Sequence, residues 1–168
     1  MMLEIALEAD ADWDSSHSWE KLARAAAEAA IAESAFPQLT ASRRSIELSV
    51  RLAGDDEVRA LNSKWRGKDK ATNVLSFPLA NSDDLSEANI IDRELLLGDI
   101  ILARGVVEAE AAEKGISVQE HATHLLVHGT LHLLGYDHHD DDSAAEMESR
   151  EVRALARLGI ADPYAVND

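Results

Sequence analysis

The sequence predicts a single α/β (α+β) domain over residues 1–168, with one small mixed sheet of about four strands covered by about five helices. Three observations carry that expectation. A chain of 168 residues with 46% hydrophobic content has the length of one domain and can bury a full core. Strand-like alternation and helix-like periodicity interleave early, and helical patterns dominate late. No internal repeat or low-complexity linker divides the chain.

Leu3, Ile5 and Leu7 recur every second residue and open the chain as a short, half-buried strand. Ser15, Ser16 and Ser18 offer caps for an Ala-rich helix from Trp19 to Ala35, which Phe36-Pro37 ends. Ile46, Leu48, Val50 and Leu52 alternate with Glu47, Ser49 and Arg51 in the clearest strand pattern of the chain. Gly54-Asp55-Asp56 turns into a helix whose inner face is Val58, Leu61 and Trp65, and Gly67 breaks it. Asn73 to Leu79 reads as a third strand closed by Pro78, and residues 81–93 as a polar surface loop. Leu96 to Leu102 reads as a fourth strand, apolar on both faces except for Asp99. A helix from Arg104 to Lys114 stops at Gly115. Ser117 and Glu120 form a capping box for a helix from Val118 to Leu134. Ser143 and Glu146 form a second box for a last helix that ends at Gly159.

The lack of Cys excludes a disulfide framework, a thiolate metal site and a Cys nucleophile, and it fits a reducing cytoplasm. The acidic start MMLEIALEADAD lacks the basic segment and apolar run of a signal peptide. No apolar run approaches the ~20 residues of a membrane span. The expectation is a soluble, cytoplasmic protein with no membrane partner. Sixteen Lys and Arg against 32 Asp and Glu give a net charge of −16, which excludes indiscriminate coating of nucleic acid. The cations are concentrated, however. Residues 43–70 hold eight Lys/Arg against five Asp/Glu, and Arg59, Lys64, Arg66, Lys68 and Lys70 face only Asp69 at the end of that stretch. An acidic body with one basic edge engages phosphate locally and relies on a partner for its address.

Five of the seven His lie within residues 121–138. His121, His124, His128 and His132 share one helical stripe, and His128 and His132 stand one turn apart, so their imidazoles can converge on one ion. Gly135 suits the left-handed residue that ends a helix, and the turn through Tyr136-Asp137 places His138 to supply a third nitrogen. Three His ligands and an open position make a catalytic zinc site at the C-terminal end of this central helix. His121 and His124 read as helix-face residues that can hydrogen-bond a ligand from behind. His139 and Asp140–Asp142 read as a solvated acidic run before a helix N-terminus. His17 is a loop residue with no role assigned.

The spacing H-x3-H-x2-G-x2-H also occurs in metzincin peptidases, which carry a Glu base directly after the first His. Here that position is Gly129, and Asp137 is the nearby acid. A zinc peptidase lacking the usual Glu is therefore the second reading.

HGTLHLLGYDH, residues 128–138, resembles the signature of the bacterial YbeY family of rRNA maturation endoribonucleases. LNSKWRGKDKATNVLSFP (61–78), LLGDIIL (96–102) and GIADPY (159–164) resemble further blocks of that family in the same order. Thr130 sits at a variable signature position, and Ala71 stands where family members often have Pro. The resemblance implies a metal-dependent endoribonuclease specific for single-stranded RNA. It further implies a role in maturing the 3′ end of small-subunit rRNA and in ribosome quality control. It carries over His128, His132 and His138 as metal ligands and Arg66 as a functional arginine. The implied partners are single-stranded RNA, precursor small-subunit rRNA, and ribosomal proteins or a ribosome-associated GTPase, with no DNA.

The residues support that chemistry on their own. Zinc lowers the pKa of water toward ~7 and polarises a phosphoryl oxygen. Arg66, followed by Gly67, Lys68 and Lys70, offers a planar fork and two further cations to phosphate. Asp137 either orients a ligand or moves a proton, or simply fixes the turn. Trp65 can stack on a base, but its spacing with Val58 and Leu61 places it in the core. A third reading is a non-catalytic ribosome-assembly factor with a structural zinc, against which an open coordination position argues.

Overall fold

The computed structural model describes residues 2–14, 18–41, 44–86 and 94–165. Ser15, Ser16, His17 and residues 87–93 of the expected surface loop lie outside the described residues. Four strands form one mixed sheet: β1 (Met2–Ala9), β2 (Ser45–Ala53), β3 (Val74–Pro78) and β4 (Leu95–Ala103), in the order β1-β2-β4-β3. β1, β2 and β4 run parallel and β3 lies antiparallel on the edge beside β4. The expected class, an α/β domain with one small mixed sheet, is what the chain adopts.

The described residues hold six helices rather than five: α1 (Trp19–Ala32), α2 (Asp55–Arg66), α3 (Ser82–Ser86), α4 (Arg104–Lys114), α5 (Val118–Leu133) and α6 (Asp141–Arg157). The addition is α3, within the segment expected to be loop. Asn81 and Asp84 exchange side-chain-to-backbone hydrogen bonds of 3.0 and 2.9 Å, and Leu85 is buried, which closes one short turn. Ser18 caps α1 and Ser117 caps α5, each accepting from a backbone N–H three residues on. The start of α6 differs from expectation. Asp140, not Ser143, is its N-cap, and Ser143 answers as the other half of the box. Both residues are capping types, and the carboxylate one turn earlier captures the free N–H groups.

α5 is the central helix, lying over β3 and β4 with α1, α4 and α6 around it. Eleven of its sixteen residues are buried, among them Leu125, Leu126, Val127 and Leu131. Its approach to the sheet is close at Gly129, where an added Cβ would lie 3.0 Å from Ile100 Cδ1. β4 makes a second close approach at Gly98, whose φ of +143° and 2.3 Å spacing from such a Cβ to the Phe77 carbonyl admit no side chain. On the other face of the sheet α2 covers a smaller cluster of Ala53, Val58, Leu75, Ile101 and Ala103. Asp55, at the start of α2, accepts from the N–H groups of Gly105 (2.8 Å) and Val106 (3.2 Å). That carboxylate satisfies free N–H groups in the first turn of α4 and ties the start of α2 to it, at the opposite end of α2 from Arg66.

Candidate functional site

His128 and His132 occupy the last two turns of α5. The helix closes in a Schellman pattern: Tyr136 N–H bonds the Leu131 carbonyl (3.1 Å) and Gly135 N–H the His132 carbonyl (3.0 Å), with Gly135 at φ +102°. This reversal brings the exposed His138 ring to 5.8 Å from the His128 ring, centroid to centroid. Tyr136 anchors the turn from beneath. Its hydroxyl accepts from Ala35 N–H (2.8 Å), and Arg150 lies 4.9 Å over its ring.

The two helical histidines are each held by Nδ1. His128 Nδ1 bonds Oε1 of Glu151, a fully buried residue of α6. A carboxylate only accepts, so Nδ1 carries the proton and the Nε2 lone pair is left for a ligand role. His132 Nδ1 lies 2.6 Å from Ser76 Oγ on β3, and that hydroxyl can accept the Nδ1 proton in the same way. Burial, then the neighbouring His128, lower the pKa of His132, with His138 and Arg66 adding to the shift against the opposing pull of Asp137. The neutral, coordinating form is favoured.

Glu151 gathers more than one histidine. Its second oxygen accepts from the Tyr164 hydroxyl and stands 3.7 Å from His124 Nε2, which in turn lies 3.2 Å from the same hydroxyl. Burial alone would raise this carboxyl, but the nearby His124 and the hydrogen bonds from His128 and Tyr164 outweigh it and hold the pKa at about 2. His124 thus supports the residue behind His128. His121 serves a different purpose: its Nε2 meets Glu110 at 2.8 Å, and Glu110 also accepts from Asn73 (3.0 Å), tying α5 to α4 and the start of β3. His139 is exposed, and both of its bonds to Asp137, backbone N–H (3.0 Å) and ring Nε2 (2.9 Å), keep that carboxylate in the turn. Asp137 does not line the cleft described next.

One cleft of about 630 Å³ contains His128, His132 and His138 together with Arg66, Lys68 and Lys70. The basic loop is fastened by buried Asn62, whose side-chain NH2 donates to the Lys70 carbonyl (2.9 Å) and whose backbone carbonyl accepts from Lys68 N–H (3.3 Å). Arg59 pairs with Asp69 at 2.8 Å, which removes the loop's one acid from competition. Among the described residues Arg66, Lys68 and Lys70 make no ion pair. Trp65 overturns its assignment to the core. α2 rests on the sheet margin through Val58 and Asn62, and the indole one turn beyond Leu61 overhangs that margin, 63% exposed.

Glu151, Tyr164, Ser76 and Asn62 did not stand out in the sequence. Glu151 had a usable signal, because it falls in the apolar stripe of α6 with Met147, Ala154 and Leu155. Ser76 and Asn62 had none, as nothing local marks a hydroxyl or amide that is claimed from another element. The donor chemistry of the cleft, two imidazoles with Nδ1 engaged and a third across the turn, fits a borderline-soft divalent ion. The three rings are spread more widely than Glu4, Glu47 and Glu94, whose carboxylate oxygens form a trio within 4.8 Å among the described residues.

Fold and cleft together define a small α/β protein whose imidazole cluster faces a strip of unmatched cations. Residues 6–159 match the family model described as Endoribonuclease YbeY, and the chain belongs to that family. It is 55% identical to the Endoribonuclease YbeY of Rhizorhabdus wittichii, with 99% of both chains covered. It is 53% identical to that of Sphingopyxis alaskensis, over 99% of this chain and all of the other. The fold is shared with the solution structure of TM1509 from Thermotoga maritima, at a TM-score of 0.54 and 22% identity, covering 97% of this chain and 100% of that one.

Proposed function

We propose that the protein is a metal-dependent endoribonuclease that cuts single-stranded RNA during maturation of the small-subunit rRNA 3′ end. The observation that carries this reading is the single cleft in which His128, His132 and His138 meet Arg66, Lys68 and Lys70. The three imidazoles would hold one zinc ion, with His138, on the exposed turn, closing toward the helical pair. When bound, zinc supplies a lowered water pKa and a Lewis acid for a phosphoryl oxygen. Arg66 receives two oxygens of the scissile phosphate in its fork and meets the charge that develops there. Lys68 and Lys70 hold the neighbouring phosphates as point charges. Glu151 and Ser76 fix the ring orientation of His128 and His132.

The −16 net charge favours a local, guided encounter over free scanning of nucleic acid. Ribosomal proteins or a ribosome-associated GTPase would provide that guidance, in the cytoplasm, with a further part in ribosome quality control. No helix of the described residues is long and apolar enough to cross a membrane. The place of Asp137 speaks against the peptidase reading, since the acid that a peptidase lacking the usual Glu would need as its base is tied to His139 and does not line the cleft. Incubation with labelled precursor rRNA and, separately, with casein, each with and without chelator, tests the assignment. Chelator-sensitive cutting of RNA alone is expected. Cutting of casein, or of neither, contradicts it.

A further inference from the structure

A second hollow, also of about 630 Å³, lies on the far face of the sheet beside α2. Leu61, Trp65, Phe77 and Ile101 give it apolar walls, and Asp99 stands among them. Trp65 and Phe77 line this groove and the histidine cleft alike, so the two spaces meet along those rings. We propose that the groove binds a nucleobase of the same RNA strand whose phosphates lie in the cleft, a proposal that rests on the RNA-cleaving reading above.

Three observations favour a base over a phosphate or an apolar peptide. Trp65 is 63% exposed and directly precedes Arg66, so one turn of α2 offers a stacking surface and a phosphate fork side by side. The Lys64 ammonium lies 5.1 Å from the centroid of that indole and leaves it lining both spaces. Second, the groove has no cation to spare. Its Arg51 is held by Glu57 at 2.9 Å and Asp10 at 2.7 Å, while Glu8 and Asp99 repel phosphate. Backbone charge is thereby kept in the cleft and the uncharged part of the nucleotide is directed across the rings. Third, Asp99 is half-buried in an otherwise apolar strand and makes no side-chain hydrogen bond among the described residues. A carboxylate accepts only, so it selects bases with an exocyclic amino group, cytosine N4 or adenine N6, over uracil, which shows O4 there.

Titration with fluorescein-labelled 2′-O-methyl octanucleotides of cytidine and of uridine, read by fluorescence anisotropy in the parent and in every variant and each verified intact on a gel afterwards, tests the subsite. Trp13 and Trp19 are buried against each other, so quenching of the accessible tryptophan emission reports Trp65. Oligocytidine should quench that emission and bind more tightly than oligouridine. Trp65→Ala should weaken oligocytidine binding by about 5- to 150-fold, the range of one stacked base, without altering the salt dependence. Trp65→Phe should recover part of the loss, and Asp99→Asn should erase the preference for cytidine. Arg66→Ala should instead flatten the salt slope by about 0.7, one phosphate contact. Parent-like binding by Trp65→Ala, with the Arg66→Ala effect intact, overturns the subsite and leaves the RNA reading standing. No preference between the two parent titrations overturns the assignment of Asp99. Failure of the parent to bind either strand overturns both.

Discussion

Glu151→Gln perturbs the part of the site that no local motif announces. The carboxylate is fully buried and accepts from His128 Nδ1 and the Tyr164 hydroxyl, with His124 Nε2 3.7 Å away. Glutamine keeps the volume and can keep both contacts only as neutral ones, its carbonyl accepting from His128 and its NH2 donating to a turned Tyr164 hydroxyl. The charge assistance of both hydrogen bonds is lost, costing about 1–3 kcal/mol. A chain of this size loses roughly 2–4 °C of Tm per kcal/mol, so metal-free protein should melt about 2–12 °C lower. With a neutral acceptor in place of the carboxylate, His128 becomes a less basic ligand, and zinc binding should weaken by about 10–100-fold. Calorimetric melting in chelator reads the first effect, and titration against a competing zinc chelator reads the second. Tyr164→Phe separates them, because it removes one donor and leaves His128 held. It should cost about 1 kcal/mol with zinc affinity unchanged. Parent-like zinc affinity in Glu151→Gln would refute the role given to this carboxylate.

Three further outcomes follow from the same geometry. Arg66→Ala should leave the fold and zinc content intact and lower RNA cleavage by about 10²–10³-fold, read on a labelled single strand. Gly129→Glu should destabilise the protein by about 3 kcal/mol or more in a denaturant melt, since the side chain meets Ile100 across a buried contact, and it should not confer casein cleavage. The Glu33 carboxyl is held below its ordinary value of 4.5, by the Arg157 hydrogen bond above all, with Arg153 assisting against the cost of burial. Its folded-state pKa is depressed, so its contribution is complete above about pH 4.5 and disappears as pH falls through the lower folded value. Glu33→Gln should therefore cost up to about 1 kcal/mol at pH 7 and nothing at strongly acidic pH, as compared by urea melts.

Regular elements with strong local rules were legible from the residues. The alternation of Ile46 to Leu52 matches β2, and Gly115 at φ +69° ends α4 where its lack of a Cβ predicts. The spacing of His128, Gly135 and His138 foretold both the helix end and the return of the chain, because a Schellman turn is a local event. Trp65 was misplaced because periodicity reports a face, not how far the covering sheet extends beneath it. Asp140 and Ser143 compete for one cap, and sequence spacing does not decide which reaches the free N–H groups. Glu151 draws donors from two parts of α5 and from the C-terminal segment, so its role exists only once those are packed together.

The central claim is that the three histidines hold a metal that RNA cleavage requires. Metal content and cleavage of a labelled single-stranded RNA, measured on the same preparations of the parent and of His132→Ala, test it most directly. The account predicts one zinc per chain and chelator-sensitive cutting in the parent, with both lost in the variant. A metal-free His132→Ala protein that cuts RNA at the parent rate would contradict it.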